Sequence, residues 1–208
     1  MFSMSIESLG YYLGIGIFHG LNPAMGWLFS VALALQHNSF RWIIRSAIAL
    51  LTGHFLSIGS YFAFFLLLGK WVSLQWIKWI AVIALFSFAF YWLIRARHPK
   101  WVGMNVGVAD LIYWSFLMAS AHGAGLMLLV GSSLCGRSFA FWLQPSGITA
   151  QLFIPPAIHT LGYFLAVFVI ATIVYRSDLL KVLYRKWINF DLLWSAALFA
   201  AGSWIALN

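Results

Sequence analysis

Between Leu9 and Leu35 the chain carries no Asp, Glu, Lys or Arg, and that run sets the first limit on what it can fold into. Crossing a bilayer as a helix takes about 20 apolar residues, so the run is long enough. Near its middle stand an imidazole, an amide and a proline, within Gly14-Ile15-Gly16-Ile17-Phe18-His19-Gly20-Leu21-Asn22-Pro23-Ala24-Met25-Gly26-Trp27. Polar groups at membrane depth are expensive; they face a bundle interior and commonly mark function.

Five further apolar runs follow, at about 46–69, 74–94, 108–134, 149–175 and 187–207. Charged residues make up only 8% of the chain and the mean hydropathy is +0.93. A soluble domain carries roughly 25% charged residues. The sequence therefore predicts an all-α polytopic membrane protein of six transmembrane helices, in a prokaryotic plasma (cell inner) membrane. Runs of this length exclude the alternating pattern of a barrel strand. The first run has no basic residue ahead of it and Glu7 is acidic, the wrong flank for a cleaved signal, so it is read as a retained helix. Trp76, Trp79, Tyr91, Trp92, Trp187 and Trp204 stand at the ends of the third and sixth spans, where interfacial rings belong.

A net charge of +8 raises nucleic acid as a partner, but the charges sit at helix ends, where basic residues set topology. Arg41, Arg45, Arg95, Arg97, Lys100, Arg176, Lys181, Arg185 and Lys186 fall on one side, and Lys70, Lys78 and Arg137 on the other. Nine against three makes the loops at 36–45, 95–107 and 176–186 cytoplasmic and puts both termini outside. The segment 136–151 is the one extended outer loop. Cys135 is the only cysteine, so no disulfide or thiolate cluster forms within the chain.

The two halves resemble each other. His122 lies 103 residues after His19, and His159 lies 105 after His54. Phe18-His19-Gly20 aligns with Ala121-His122-Gly123, and Trp76-Ile77 with Trp187-Ile188. Residues 1–104 and 105–208 then form two three-helix repeats within one membrane domain. Three spans is an odd number, so the second copy inserts upside down, a 3+3 inverted repeat of the kind that places transporter sites at the midplane.

At 1.5 Å per residue, His19, His54, His122 and His159 all fall roughly 12–20 Å from a membrane face. These four are the candidate metal ligands; His37 and His98 fall in loops. Glycines flank each buried ring, which tight helix packing alone would explain. Asn22, Thr52, Ser57, Ser120, Thr160 and Met118 are candidates to orient the rings from a second layer. Met25 is near His19 in sequence; a thioether suits copper(I), although Met in an apolar helix commonly serves as filler. Pro23, Pro155 and Pro156 are expected helix breaks beside the site, since proline removes a donor and frees a carbonyl one turn earlier. Asp110 is expected to cap its helix, and Asp191 to have a structural role.

Gly53-His54-Phe55-Leu56-Ser57 and His19-Gly20-Leu21-Asn22-Pro23 resemble the early-helix motifs of the nickel/cobalt transporter and exporter families. The six-helix layout is similar to the lysine-exporter superfamily. That group also includes small thiol–disulfide electron carriers with paired cysteines on the first and fourth helices, where this chain has His19 and His122. The nickel families add aspartates after the first histidine, and here Asn22-Pro23 follows with no acid. The resemblance implies a metal transporter.

The expected function is a small secondary transporter, not an enzyme, for a divalent transition-metal cation: nickel, cobalt, zinc or copper, all suited to neutral imidazole. No GxxxxGK[ST] motif is present, so ion gradients or a separate subunit would drive it. Ser120 and His122 lie two apart on a helix and point in different directions, which argues against a hydrolase. Two alternatives stand beside this reading. The histidines would ligate two b-type haems in pairs toward opposite faces, or the chain would be a small structural subunit of a larger membrane complex. Phe, Trp and Tyr make up 19% of the sequence, a surface suited to lipid, a homo-oligomer or such a complex.

Overall fold

The computed structural model describes residues 6–68, 71, 73–94, 106–128, 148–177 and 190–207. Among them every regular element is helical and none is a strand. The order is α1 (Ile6–Leu21), a 3-10 turn (Pro23–Met25), α2 (Trp27–Gln36), α3 (Arg41–Leu68), α4 (Leu74–Ile94), α5 (Val108–Ala121), α6 (124–128), α7 (Ile148–Arg176) and α8 (Phe190–Leu207). Expectations for 129–134, Cys135, the outer loop through 147, the basic segments 95–105 and 178–186, and the start of the sixth span fall outside the described residues.

Two helices are long and apolar enough to cross a membrane, over Arg41–Phe64 and Phe153–Arg176. The other apolar helices are shorter, and in the first expected span the reason is a break. The residue before a proline is pushed out of the helical region. Asn22 obeys, with φ −65° and ψ 122°, and its side-chain oxygen accepts the amide of Ala24 at 3.0 Å. Gly26 then takes φ 117°, a left-handed conformation that glycine adopts without strain, and α2 starts at Trp27. Pro23 is thus a true helix break.

Pro155 and Pro156 are not. α7 runs through both without interruption. Proline's fixed φ of about −65° is itself helical. A break also needs an extended residue before the ring, and Asn22 stabilises that state with its own side chain. Ile154 has no acceptor to offer, so the helix continues. At the start of α5 the Asp110 carboxylate accepts the amide of Gly107 at 2.8 Å, the expected cap. α5 ends at Ala121, and Gly123 turns the chain with φ 66° into α6.

Helices pack in pairs: α1 against α7, α3 against α5, and α4 against α8, with α3 also lying on α7 and α2 filling against both. The first two pairs meet through glycine. A Cβ at Gly16 would run into the carbonyl of His159, one at Gly162 into that of Leu13, and one at Gly53 into that of Ile112. Small residues of this kind let helix backbones approach closely. α4 and α8 pack through Phe86 and Phe90 on Phe199, with ring centroids 5.6 and 5.3 Å apart. The outward faces are apolar too, with Phe153, Leu161, Leu165, Val169 and Ile173 exposed along α7 and Ile44, Ile48, Leu56 and Phe64 along α3. Basic groups gather at one end, where Arg45 lies over Trp42 and Arg176 over Phe40, and His37 stacks on Trp42 at 4.1 Å.

Candidate metal centre

The break after His19 is the local event from which the centre is built. Interrupting a buried helix leaves carbonyls without amide partners, and these must be satisfied by other groups. Three distant or semi-local donors do so. The Trp27 indole donates to Leu21 O at 3.2 Å, the Trp114 indole on α5 to Ala24 O at 3.1 Å, and the Tyr163 hydroxyl on α7 to Met25 O at 2.6 Å. The turn is therefore bolted to the two helices that face it.

His19 ends α1 just before this turn; His54 lies mid-α3, His159 on α7, and His122 caps α5. All four are fully buried. One ring nitrogen from each of His19, His54 and His159 lies within 4.8 Å of the other two. The rings of His19 and His54 are 4.8 Å apart at 79°, His19 and His159 5.7 Å at 84°, and His54 and His159 are near-parallel at 5.4 Å. A tetrahedral ion with bonds of about 2.0–2.1 Å sets its donors roughly 3.4 Å apart, so small side-chain rotations separate this arrangement from a bound one.

His122 stands at the edge, its ring 6.3 Å from that of His19 and outside the group of three. Its Nδ1 lies 2.8 Å from Met118 O. A carbonyl only accepts, so Nδ1 carries the proton and Nε2 the lone pair. That second bond fixes the tautomer, as partners of metal-binding histidines do.

Met25 and Met118 meet the histidines through different atoms. Met118 offers its carbonyl to His122, whereas the Met25 Sδ sits 2.9 Å from Nε2 of His19. Thr52 is not beside the rings: it is exposed on α3 and turns its hydroxyl back to Ile48 O at 2.9 Å. Ser57 and Ser120 bond each other at 2.8 Å and clamp α3 to α5, with Tyr61 donating to Ser120 O at 3.2 Å. Asn22 gives its side-chain oxygen to the turn, and its Nδ2 is buried with no hydrogen-bond partner among the described residues. Thr160, next to His159, is buried with no hydrogen-bond partner for its hydroxyl among the described residues.

Sequence reasoning missed Tyr163 and Ser115. Tyr163 stacks on His54 at 3.9 Å and 6° while its hydroxyl holds the turn. Ser115 donates to Leu50 O at 2.7 Å and lies 3.4 Å from the Tyr163 hydroxyl. The available signal for Tyr163 was its place one helical turn after His159. Among the described side chains the one carboxylate, Asp110, is exposed at the start of α5. The groups gathered at the centre are thus imidazoles and a thioether. Compared with family models, with curated proteins and with solved structures, the chain matches none.

Proposed function

We propose that the chain is an integral membrane protein that moves a transition-metal cation through a central histidine site. The observation that carries this is the convergence of His19, His54 and His159, from three helices far apart in sequence, on one fully buried point. Buried imidazoles in a dry interior need partners, yet neither ring nitrogen of His54 has a hydrogen-bond partner among the described residues. An ion satisfies them. A single cluster in place of two separated pairs favours one ion over two haems.

The wider reading adds six spans in an inverted 3+3 repeat, with both termini outside and the likeness to nickel/cobalt transporters resting on the motifs at His19 and His54. Exchanging the halves turns the α1–α7 pair into α5–α3 and leaves α3–α7 and α4–α8 unchanged, the packing that such a repeat requires. Broken first helices in both halves, at Asn22 and at His122-Gly123, fit the same scheme.

The test is metal content and affinity of the purified protein in detergent, for wild type and for alanine variants of each histidine. One ion per chain is expected. His19→Ala, His54→Ala and His159→Ala should each weaken binding beyond the ~10–100-fold that loss of an outer partner causes. His37→Ala should change it less than about twofold. Acidification should release the ion, because protons compete for the same lone pairs. A wild-type protein that stays free of metal after supplementation would overturn the reading and leave a structural subunit.

A further inference from the structure

We infer that Met25 is the fourth donor of this site and that the cation it takes is monovalent copper. The inference rests on the metal-site reading above and narrows it from transition metals in general to a soft, singly charged ion.

The backbone that carries the thioether is held in place. Met25 is 2% exposed, with its sulfur 2.9 Å from Nε2 of His19. Its amide donates to Asn22 O at 2.9 Å and its carbonyl accepts from Tyr163 at 2.6 Å. On one side is the Asn22 cap; on the other, Gly26 is set left-handed against the side chain of Leu50. A residue chosen as apolar filler needs none of this fixation, since methionine's value as filler lies in its freedom to move. Tyr163 couples the two halves of the donor set, because the ring that stacks on His54 also carries the hydroxyl that fixes Met25.

Donor chemistry and charge then point the same way. Thioether sulfur is soft and selects copper(I), while nickel, cobalt and zinc bind well to imidazole alone. Three imidazoles and a thioether bring no negative charge. Burial cost grows with the square of the ion's charge, so a divalent ion held by neutral donors costs roughly four times what a monovalent one does. Hard cations are excluded further by the absence of oxygen donors from this set. Structural zinc sites commonly hold thiolates, which bring the negative charge that this donor set lacks.

The experiment is anaerobic copper(I) titration of the purified full chain against a chromophoric copper(I) chelator, with zinc(II) and nickel(II) titrated in parallel and silver(I) as a redox-inert substitute. Wild type should bind copper(I) and silver(I) at least ~100-fold more tightly than zinc(II) or nickel(II). Met25→Leu, close in volume, should lose at least tenfold in copper(I) affinity, a larger loss than for zinc(II). X-ray absorption at the copper edge of the wild type needs no variant to fold, and should show one sulfur neighbour at about 2.3 Å beside nitrogen neighbours. Nitrogen neighbours alone, or a Met25→Leu protein that keeps its copper(I) affinity, would overturn the inference while the histidine variants still upheld the metal site. A wild type that binds none of these ions would overturn both.

Discussion

Tyr163 shows how much one residue in this core is asked to do. Its ring lies flat on His54 and its hydroxyl satisfies the Met25 carbonyl exposed by the broken helix. The two functions separate by substitution. Tyr163→Phe keeps the ring and strands a buried carbonyl, which should cost about 1–3 kcal/mol. Tyr163→Ala removes the ring as well and should cost about 3–5 kcal/mol, in the range for deleting a buried aromatic. Thermal melts in detergent measure both; equal losses would mean that the hydroxyl bond contributes everything and the stack nothing. The spacing of Tyr163 from His159 was readable as one helical turn, and so was the burial of all four histidines. That Tyr163 would meet His54 was not readable, because contacts between α3 and α7 follow from how the helices pack and leave no trace in either helix's own periodicity.

At the scale of the element, what matters is which glycines face a neighbour. Gly14 and Gly16 lie two apart on α1, yet a Cβ at Gly14 meets nothing within 4 Å while one at Gly16 runs into the backbone of His159. A backbone carbonyl cannot rotate away as a side chain can, so Gly16→Ala must push α1 from α7. The expected loss is about 1–3 kcal/mol, the usual range for overpacking, together with weaker metal binding as His159 shifts away from His19. Gly14→Ala should be neutral or slightly stabilising, by up to about 1 kcal/mol from helix propensity. Melts and metal titrations of the two variants side by side check this, and a Gly14→Ala defect equal to that of Gly16→Ala would refute it. The sequence showed glycines beside every buried histidine and a proline after His19, and from these the tight helix approach and the break near Pro23 were both legible. It misled at Pro155 and Pro156, because proline alone does not decide a break. The deciding partners are Asn22, which is local, and Trp114 and Tyr163, which are 90 and 138 residues from the carbonyls they satisfy. The split of the four histidines into three and one was equally hidden: it follows from His122 capping α5 and binding Met118 O, a detail of where one helix ends.

Across the whole molecule, orientation in the membrane is the property that the proposed layout commits to. Arg45 and Arg176 lie over rings of Trp42 and Phe40 at one end of the bundle, beside the loop between α2 and α3. With nine of twelve basic residues assigned by sequence to that side, the proposed orientation puts this end in the cytoplasm. In that proposed orientation the loop after α3, holding Trp71 at 88% exposure, faces outward. The two loops flank α3, one of the two helices long and apolar enough to cross alone, so they report on the same crossing. In a Cys135→Ser background a single cysteine at either loop gives a clean readout, because Cys135 is the only native thiol. Trp71→Cys should react with a membrane-impermeant maleimide in intact cells, and His37→Cys only after permeabilisation. The reverse pattern would invert the proposed orientation. Labelling of both positions from the same side would mean that α3 does not cross, and the inverted repeat would fall with it, since the first half would no longer hold an odd number of spans.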